Sequence, residues 1–197
     1  MPELRKGTAV LITGTPGTGK TTISRLLATE LGACCVNPKI LLRRKGIDYL
    51  YDEKRKTRIV SLKRLRNALR ERAARVDHGL IIDSHIVLER GPLPRIVRVI
   101  VLRCDPIVLQ QRLQHKRWSK SKISENLKAE ILDICLWDAV KNYGWNKILE
   151  IDTTGKAPRQ VVRLIVNDLH KRGIQRSPKT HWLSDLKSKE ILASYLE

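Results

Sequence analysis

The chain has 197 residues, 42% of them hydrophobic, which suits one α/β domain; Phe is absent and aromatics make up 4%, so Leu, Ile and Val must fill the core. Lys and Arg number 39 against 20 Asp and Glu, a net charge of +19, with a pI near 10.2. That imbalance points to polyanionic partners and excludes a thermophile's ion-paired surface as the explanation, because Asp and Glu would then rise in step.

The first predicted element is a strand from Thr8 to Thr13, short, apolar and β-branched. Arg5 and Lys6 precede it, so the start does not read as a signal peptide, and no apolar run approaches the ~18 residues of a membrane span. A soluble cytoplasmic protein with no membrane partner is expected. The strand opens into Gly14-Thr15-Pro16-Gly17-Thr18-Gly19-Lys20-Thr21-Thr22, which fits the phosphate-loop pattern G-x-x-x-x-G-K-[ST]. Glycines there let backbone N–H groups turn inward around a polyphosphate, and the next helix adds its positive end. Lys20 is placed to reach the β and γ phosphates and the Thr21 hydroxyl to ligate Mg²⁺, so ATP and Mg²⁺ are the expected ligands. Ile23, Leu26, Leu27, Ala28 and Leu31 then recur at helical spacing, and Gly32 is the predicted stop.

Cys34 to Val36 reads as a second short strand. Pro38 starts a helix through Leu42 that Gly46 ends, and Gly46 to Arg58 reads as polar and irregular. From Ser61 to Val76 a helix carries Leu62, Leu65, Leu69, Ala73 and Val76 as one apolar stripe. Its opposite face holds Lys63, Arg66 and Arg70, widened by Arg64, Arg72 and Arg75; solvated helices usually mix signs, and here Glu71 is the one acid. Leu80 to Asp83 is a third strand. An acid at the end of a buried strand faces the ligand crevice of an open α/β sheet and suits the Mg²⁺ side of a phosphate site; a helix-capping Asp is the plainer alternative. His85, two residues on, is placed to position a water or take a proton, or is structural.

Ile96 to Leu102 is a fourth strand. Asp105 as N-cap and Pro106 at N1 open a helix that carries Arg112. His115, Lys116, Arg117, Lys120 and Lys122 crowd its connection to a long helix, Lys122 to Asn142, with Ile123, Leu127, Ile131 and Ile134 on one face. Cations closing over a nucleotide neutralise charge on a moving phosphoryl group; a solvated basic loop is the alternative. Ile148 to Ile151 is a fifth strand, followed by Asp152-Thr153-Thr154-Gly155-Lys156-Ala157-Pro158, a turn whose backbone could read adenine. Pro158 opens a helix that ends at Lys171-Arg172-Gly173. The alternation implies a parallel sheet with helices on both faces. Trp182, Leu183, Leu186, Leu192, Tyr195 and Leu196 make Gln175 to Glu197 too apolar for a free tail, so it is expected to dock, with a helix from about Ser184. Cys34, Cys35, Cys104 and Cys135 form no C-x-x-C pair; zinc is not expected, and they read as small core residues in a reducing cytosol.

In order and spacing, "GTPGTGKTT", "IIDSH", "VLRCDPIVLQQRL", "KISENLKAE" and "DTTGKAP" resemble the adenylate kinase isoenzyme 6 family in its archaeal form, over Thr8 to about Gly173. The resemblance implies a P-loop NTPase of the nucleoside monophosphate kinase type: a five-stranded parallel sheet flanked by helices, an NMP-binding insertion at about 37–59, a lid at about 115–122, and a tail over 174–197. It implies an atypical adenylate kinase that moves the γ-phosphate of ATP to AMP, with ATPase activity coupled to small ribosomal subunit maturation beside a small-subunit platform ribosomal protein. The family's D-x-H element falls on Asp83 and His85. Lys20, Asp83, His85, Arg112 and Lys116 are then the catalytic candidates. Gly14 to Thr22, Lys116, Arg117, Gly155 and Lys156 would hold nucleotide, and Thr21 and Asp83 the metal.

The chain also departs from the family. Lys116-Arg117-Trp118 stand where the lid usually reads Arg-Gly-Tyr, so a point charge replaces a bidentate fork. The NMP insertion is basic, with Arg43, Arg44, Lys45, Lys54, Arg55, Lys56 and Arg58. With the basic helix face it is expected to form one positive surface that meets pre-ribosomal RNA through phosphates. The alternatives are a ribosome-assembly ATPase with little kinase activity and a small-metabolite P-loop kinase.

Overall fold

Apolar strands feeding helices at short intervals leave few ways to bury both, and the computed structural model takes the doubly covered sheet. It describes residues 4–44, 50–52, 57–59, 62–84, 94–171, 177–188 and 193–196. The strands are β1 (Thr8–Gly14), β2 (Cys34–Val36), β3 (Leu50–Asp52), β4 (Thr57–Ile59), β5 (Leu80–Asp83), β6 (Arg95–Arg103) and β7 (Ile148–Asp152). The helices are α1 (Lys20–Glu30), α2 (Pro38–Arg44), α3 (Leu62–Ala74), α4 (Pro106–His115), α5 (Lys120–Ile131), α6 (Ile134–Tyr143), α7 (Pro158–Lys171), α8 (Trp182–Ser188) and α9 (Ala193–Leu196).

Five strands form one parallel sheet in the order β2-β5-β1-β6-β7. The P-loop NTPase core expected from the sequence, a five-stranded parallel sheet flanked by helices, is therefore the observed one. Alternation along β1 sorts the core into two layers. Ala9 and Leu11 pack with Leu65 and Leu69 of α3 and with Leu136 and Ala139 of α6. Val10 and Ile12 pack with Ile23 and Leu27 of α1 and with Val161 and Ile165 of α7. The register pairs Ile12 with Asp83, Gly14 with Leu102 and Arg103 with Asp152, so the phosphate loop and both strand-end acids share the carboxyl edge of the sheet.

Four local expectations change. Within the stretch read as irregular, β3 and β4 pair antiparallel, Leu50 against Ile59 and Asp52 against Thr57, so that the two triplets satisfy one another's backbone groups. Residues 45–49 and 53–56 lie outside the described residues. The predicted long helix is two helices, broken where Asp133 takes a left-handed φ of 57°. The break turns Ile134 out to 46% exposure instead of into the core, and turns the Asp133 carboxylate onto the Arg103 guanidinium. In the C-terminal segment the helix starts at Trp182, and Trp182 and Leu186 are buried while Leu183 is exposed. Cys104 is a core residue as expected, but Cys35 is exposed and lines a cleft. Among the described residues no helix is long and apolar enough to cross a membrane, and no cluster of three metal-ligating side chains occurs.

Candidate active site

The loop between β1 and α1 depends on glycine at points the backbone dictates. Gly14 has φ 135°, and a Cβ there would stand 2.3 Å from the Leu102 carbonyl oxygen. Gly17 has φ 101°, and a Cβ would meet Leu109 Cδ1 at 2.6 Å. With those positions fixed the loop folds on itself: the Thr18 hydroxyl donates to the Thr15 carbonyl at 2.9 Å. It is also held from outside. The Thr153 hydroxyl lies 3.2 Å from the Thr18 carbonyl, and Arg112 reaches the Gly17 and Thr153 carbonyls at 3.5 Å each. Gly19 caps α1 without a side-chain acceptor, and the first turn holds no acid. The positive helix end is thus presented to the loop's concave side, the arrangement that suits an anion.

Lys20 Nζ donates to the Gly14 and Thr15 carbonyls at 2.6 and 3.0 Å. Burial pushes its pKa down to about 8, against the pull of Cys135, Asp83 and Glu130, while Lys116 pushes the same way as burial. Lys20 and Lys116 therefore lie in one electrostatic neighbourhood. Asp83 is buried at the end of β5, and its Oδ2 accepts from the Thr21 hydroxyl at 2.9 Å and from Asn37 Nδ2 at 3.1 Å. Asn37 also caps α2, its Oδ1 accepting from the backbone of Lys39 and Ile40. The Asp83 carboxylate is committed to Thr21 and Asn37. The donor set around Thr21, a hydroxyl and a carboxylate with room for phosphate oxygens, is hard and oxygen-rich and fits Mg²⁺.

Beside this pair opens a cleft of about 390 Å³, lined by Thr21, Asp83, Asn37, Arg25, Arg72 and Arg75 among others. On the other flank, α4 ends at His115 and a four-residue turn leads to α5, capped by Ser119. Arg117 has φ 56° there, the backbone conformation that a glycine adopts freely. Lys122 Nζ lies 4.2 Å from the Trp118 ring centroid. In the turn after β7, Gly155 has φ 64° and Lys156 pairs with Asp152 at 3.6 Å.

The structure thus brings Gly14 to Thr21, Asp83 and Arg112 together and sets Lys116 near Lys20; Thr22 is exposed on α1, and Gly155 and Lys156 lie on the neighbouring turn. His85 lies outside the described residues. Sequence reasoning missed Asn37, Arg25, Glu130 and Arg103. Asn37 carried a signal, an Asn before Pro at the close of a strand; the others read as ordinary helix or strand charges.

The fold has known counterparts. A gluconokinase from Sinorhizobium meliloti superposes with a TM-score of 0.53 at 18% identity, covering 85% of this chain and 94% of that one. A shikimate kinase from Acinetobacter baumannii in complex with shikimate does so with 0.56 at 16% identity, covering 85% and 95%. At such identities the likeness is one of fold, and the class it defines is the P-loop kinase fold. The profile of the AAA domain matches residues 10–133. Proteins named "Putative adenylate kinase" are similar in sequence. That of Thermococcus kodakarensis is 35% identical over 169 residues, 85% of this chain and 88% of the relative; that of Methanococcus maripaludis is 30% identical over 181 residues, 89% and 96%. The chain belongs to this adenylate-kinase-like family of archaeal proteins.

Proposed function

We propose that the protein is an ATP-dependent kinase that transfers the γ-phosphate of ATP to AMP, with an ATPase activity coupled to small ribosomal subunit maturation. The observation that carries the kinase half is the junction at Thr21 and Asp83: they stand between a phosphate loop and a cleft walled by Arg25, Arg72 and Arg75. Three guanidinium groups in a cleft of this size suit an anionic acceptor such as a nucleoside monophosphate. The relatives' names agree with that acceptor class.

In this reading the loop N–H groups and Lys20 hold the β and γ phosphates, and Arg112 and Lys116 balance charge gathered on the moving group. Thr21 and Asp83 would hold Mg²⁺. A bound ion supplies Lewis-acid polarisation of the phosphate oxygens. Arg25, Arg72 and Arg75 orient the acceptor, so that Asp83 stays between donor and acceptor. His85 is proposed to position the attacking oxygen, or a water in the ATPase reaction. The maturation half rests on the family resemblance and on the basic outer face of α3, which suits pre-ribosomal RNA beside a platform ribosomal protein.

A coupled assay with ATP, Mg²⁺ and each nucleoside monophosphate tests the reading. AMP should accelerate ATP loss and yield ADP in twofold excess, and Lys20→Ala should lower turnover by several orders. Acceleration by small-subunit RNA or protein with no response to AMP would favour the ATPase alternative. A response to a sugar acid in place of AMP would favour the small-metabolite kinase.

A further inference from the structure

Behind the phosphate loop lies a buried charged cluster that the proposed chemistry does not use. Its centre is Glu130 in the last turn of α5, 1% exposed. One carboxylate oxygen, Oε2, accepts from the Thr15 hydroxyl of the loop. The other, Oε1, accepts from Arg103 Nε at 2.9 Å, the Cys104 backbone N–H at 3.0 Å and the Trp182 indole N–H at 3.2 Å. Arg103, also 1% exposed, donates further to the Glu130 carbonyl, to Glu150 Oε1 at 2.9 Å and to Asp133. Glu150 in turn accepts from the Lys179 backbone N–H and the Thr180 hydroxyl at 2.5 Å each. Residues 179–182 thus donate three hydrogen bonds into a cluster whose far side holds Thr15.

Thr15 is no bystander in the loop. Its carbonyl accepts from Lys20 Nζ at 3.0 Å and from the Thr18 hydroxyl at 2.9 Å. The Thr15 hydroxyl is thus anchored on Glu130 in the same residue whose carbonyl aims Lys20, and a backbone shift that released the anchor would move that acceptor. Burying an arginine with three carboxylates is a costly way to fill a core, and apolar residues of like volume serve stability as well or better. The cluster does what apolar residues cannot: it fixes the direction of one hydroxyl in the loop.

We propose that Glu130 is a positioning residue for the phosphate loop, and that the C-terminal segment sets it through Trp182. The proposal rests on the reading of the loop as the ATP site. It makes the segment part of the nucleotide-binding apparatus, although Trp182 stands 167 positions from Thr15 (182 − 15) in the sequence.

Glu130→Gln disturbs Arg103 as well and risks the fold, so Thr15→Val and Trp182→Phe carry the test; the first keeps shape and removes one donor, and the second removes the indole N–H together with part of a buried ring, which is why melting temperature is read beside affinity. ATP affinity by calorimetry is the readout, with AMP affinity and melting temperature beside it, in the full chain. Thr15→Val should weaken ATP binding about tenfold, the size of one hydrogen bond to a buried carboxylate. Thr15→Ser should restore it, and AMP binding should stay within about twofold. Trp182→Phe should weaken ATP binding about threefold in the native background and not further in Thr15→Val. Independent effects in the double variant, or equal loss of ATP and AMP binding in step with melting temperature, would overturn the proposal and leave a structural cluster. Failure of the site itself looks different: the native chain would then bind no ATP, or Lys20→Ala would bind and turn it over normally.

Discussion

Lys20 shows at one residue how the site works against the fold. Unfolded, it titrates at its ordinary value of 10.5; folded, burial brings it to about 8. Between those values the unfolded chain binds more protons, so stability rises with pH through that window, and below pH 8 the fold bears the full cost of a buried ammonium. Lys20→Met should therefore raise the melting temperature of the ligand-free protein at pH 7, while abolishing phosphoryl transfer. The gain should shrink above pH 8 and vanish near pH 10.5; a lower melting temperature at pH 7 would refute it. In the native enzyme kcat/KM for ATP should fall as pH rises past about 8, because the free loop loses its cation. Gly17 gives a second expectation. Its φ of 101° strains any L side chain, and a Cβ would have to push the Leu109 Cδ1 methyl aside from 2.6 Å, so Gly17→Ala should cost about 1–3 kcal/mol in denaturant unfolding and weaken ATP binding. The loop was legible in the sequence because its chemistry is written in nine adjacent residues. Arg103 and Glu130 were not, since their partners stand 27 and 115 positions away in Glu130 and Thr15; Asn37 showed its cap before Pro38 but not its bond to Asp83, 46 positions on.

At the scale of elements, what burial on two faces dictates was readable and what one distant contact dictates was not. All five sheet strands are apolar runs bounded by turns, and the Asp105–Pro106 cap states the start of α4, with Asp105 accepting from the Ile107 and Val108 backbone. The α5–α6 break has no such mark. The spacing of Ile123, Leu127, Ile131 and Ile134 continues the stripe across it, yet Asp133 leaves the helix to meet Arg103. The β3–β4 pair is too short for periodicity to reveal. Arg103→Met tests how far this one guanidinium organises the joint. It would leave Glu130, Glu150 and Asp133 facing one another without a cation, and should cost about 3–5 kcal/mol in denaturant unfolding. Burial already holds the Asp133 pKa up, with Arg103 opposing; without Arg103 it climbs further. The folded variant then binds more protons than the unfolded chain, so its deficit should narrow as pH falls towards the carboxylate range. A deficit that stays constant over that range would mean that packing, not charge, is what Arg103 supplies.

At the scale of the whole molecule the net charge of +19 needs a place to act, and α3 offers one. Its apolar stripe, Leu65, Leu69 and Ala73, is buried against the sheet, while Lys63, Arg64, Arg70, Arg72 and Arg75 are exposed. Arg72 and Arg75 also line the cleft proposed to take the acceptor, so the basic face runs to the mouth of the proposed active site. A polyanion lying on α3 would reach that mouth, and this joins the two halves of the proposed function in one surface. Contact through phosphates releases counterions, so affinity should fall steeply with salt. Aromatic platforms for base stacking are scarce in this chain, so sequence preference should be weak. Lys63→Glu with Arg70→Glu reverses two charges that lie two turns apart on one face, and neither lines the cleft. Filter binding to small-subunit RNA at several salt concentrations should show weaker affinity and a slope of log K against log salt reduced by about 1.4–1.8, one phosphate contact for each residue. The KM for AMP should not change. An unaltered affinity and slope would reduce α3 to a solvated basic coat and detach the RNA partner from this surface.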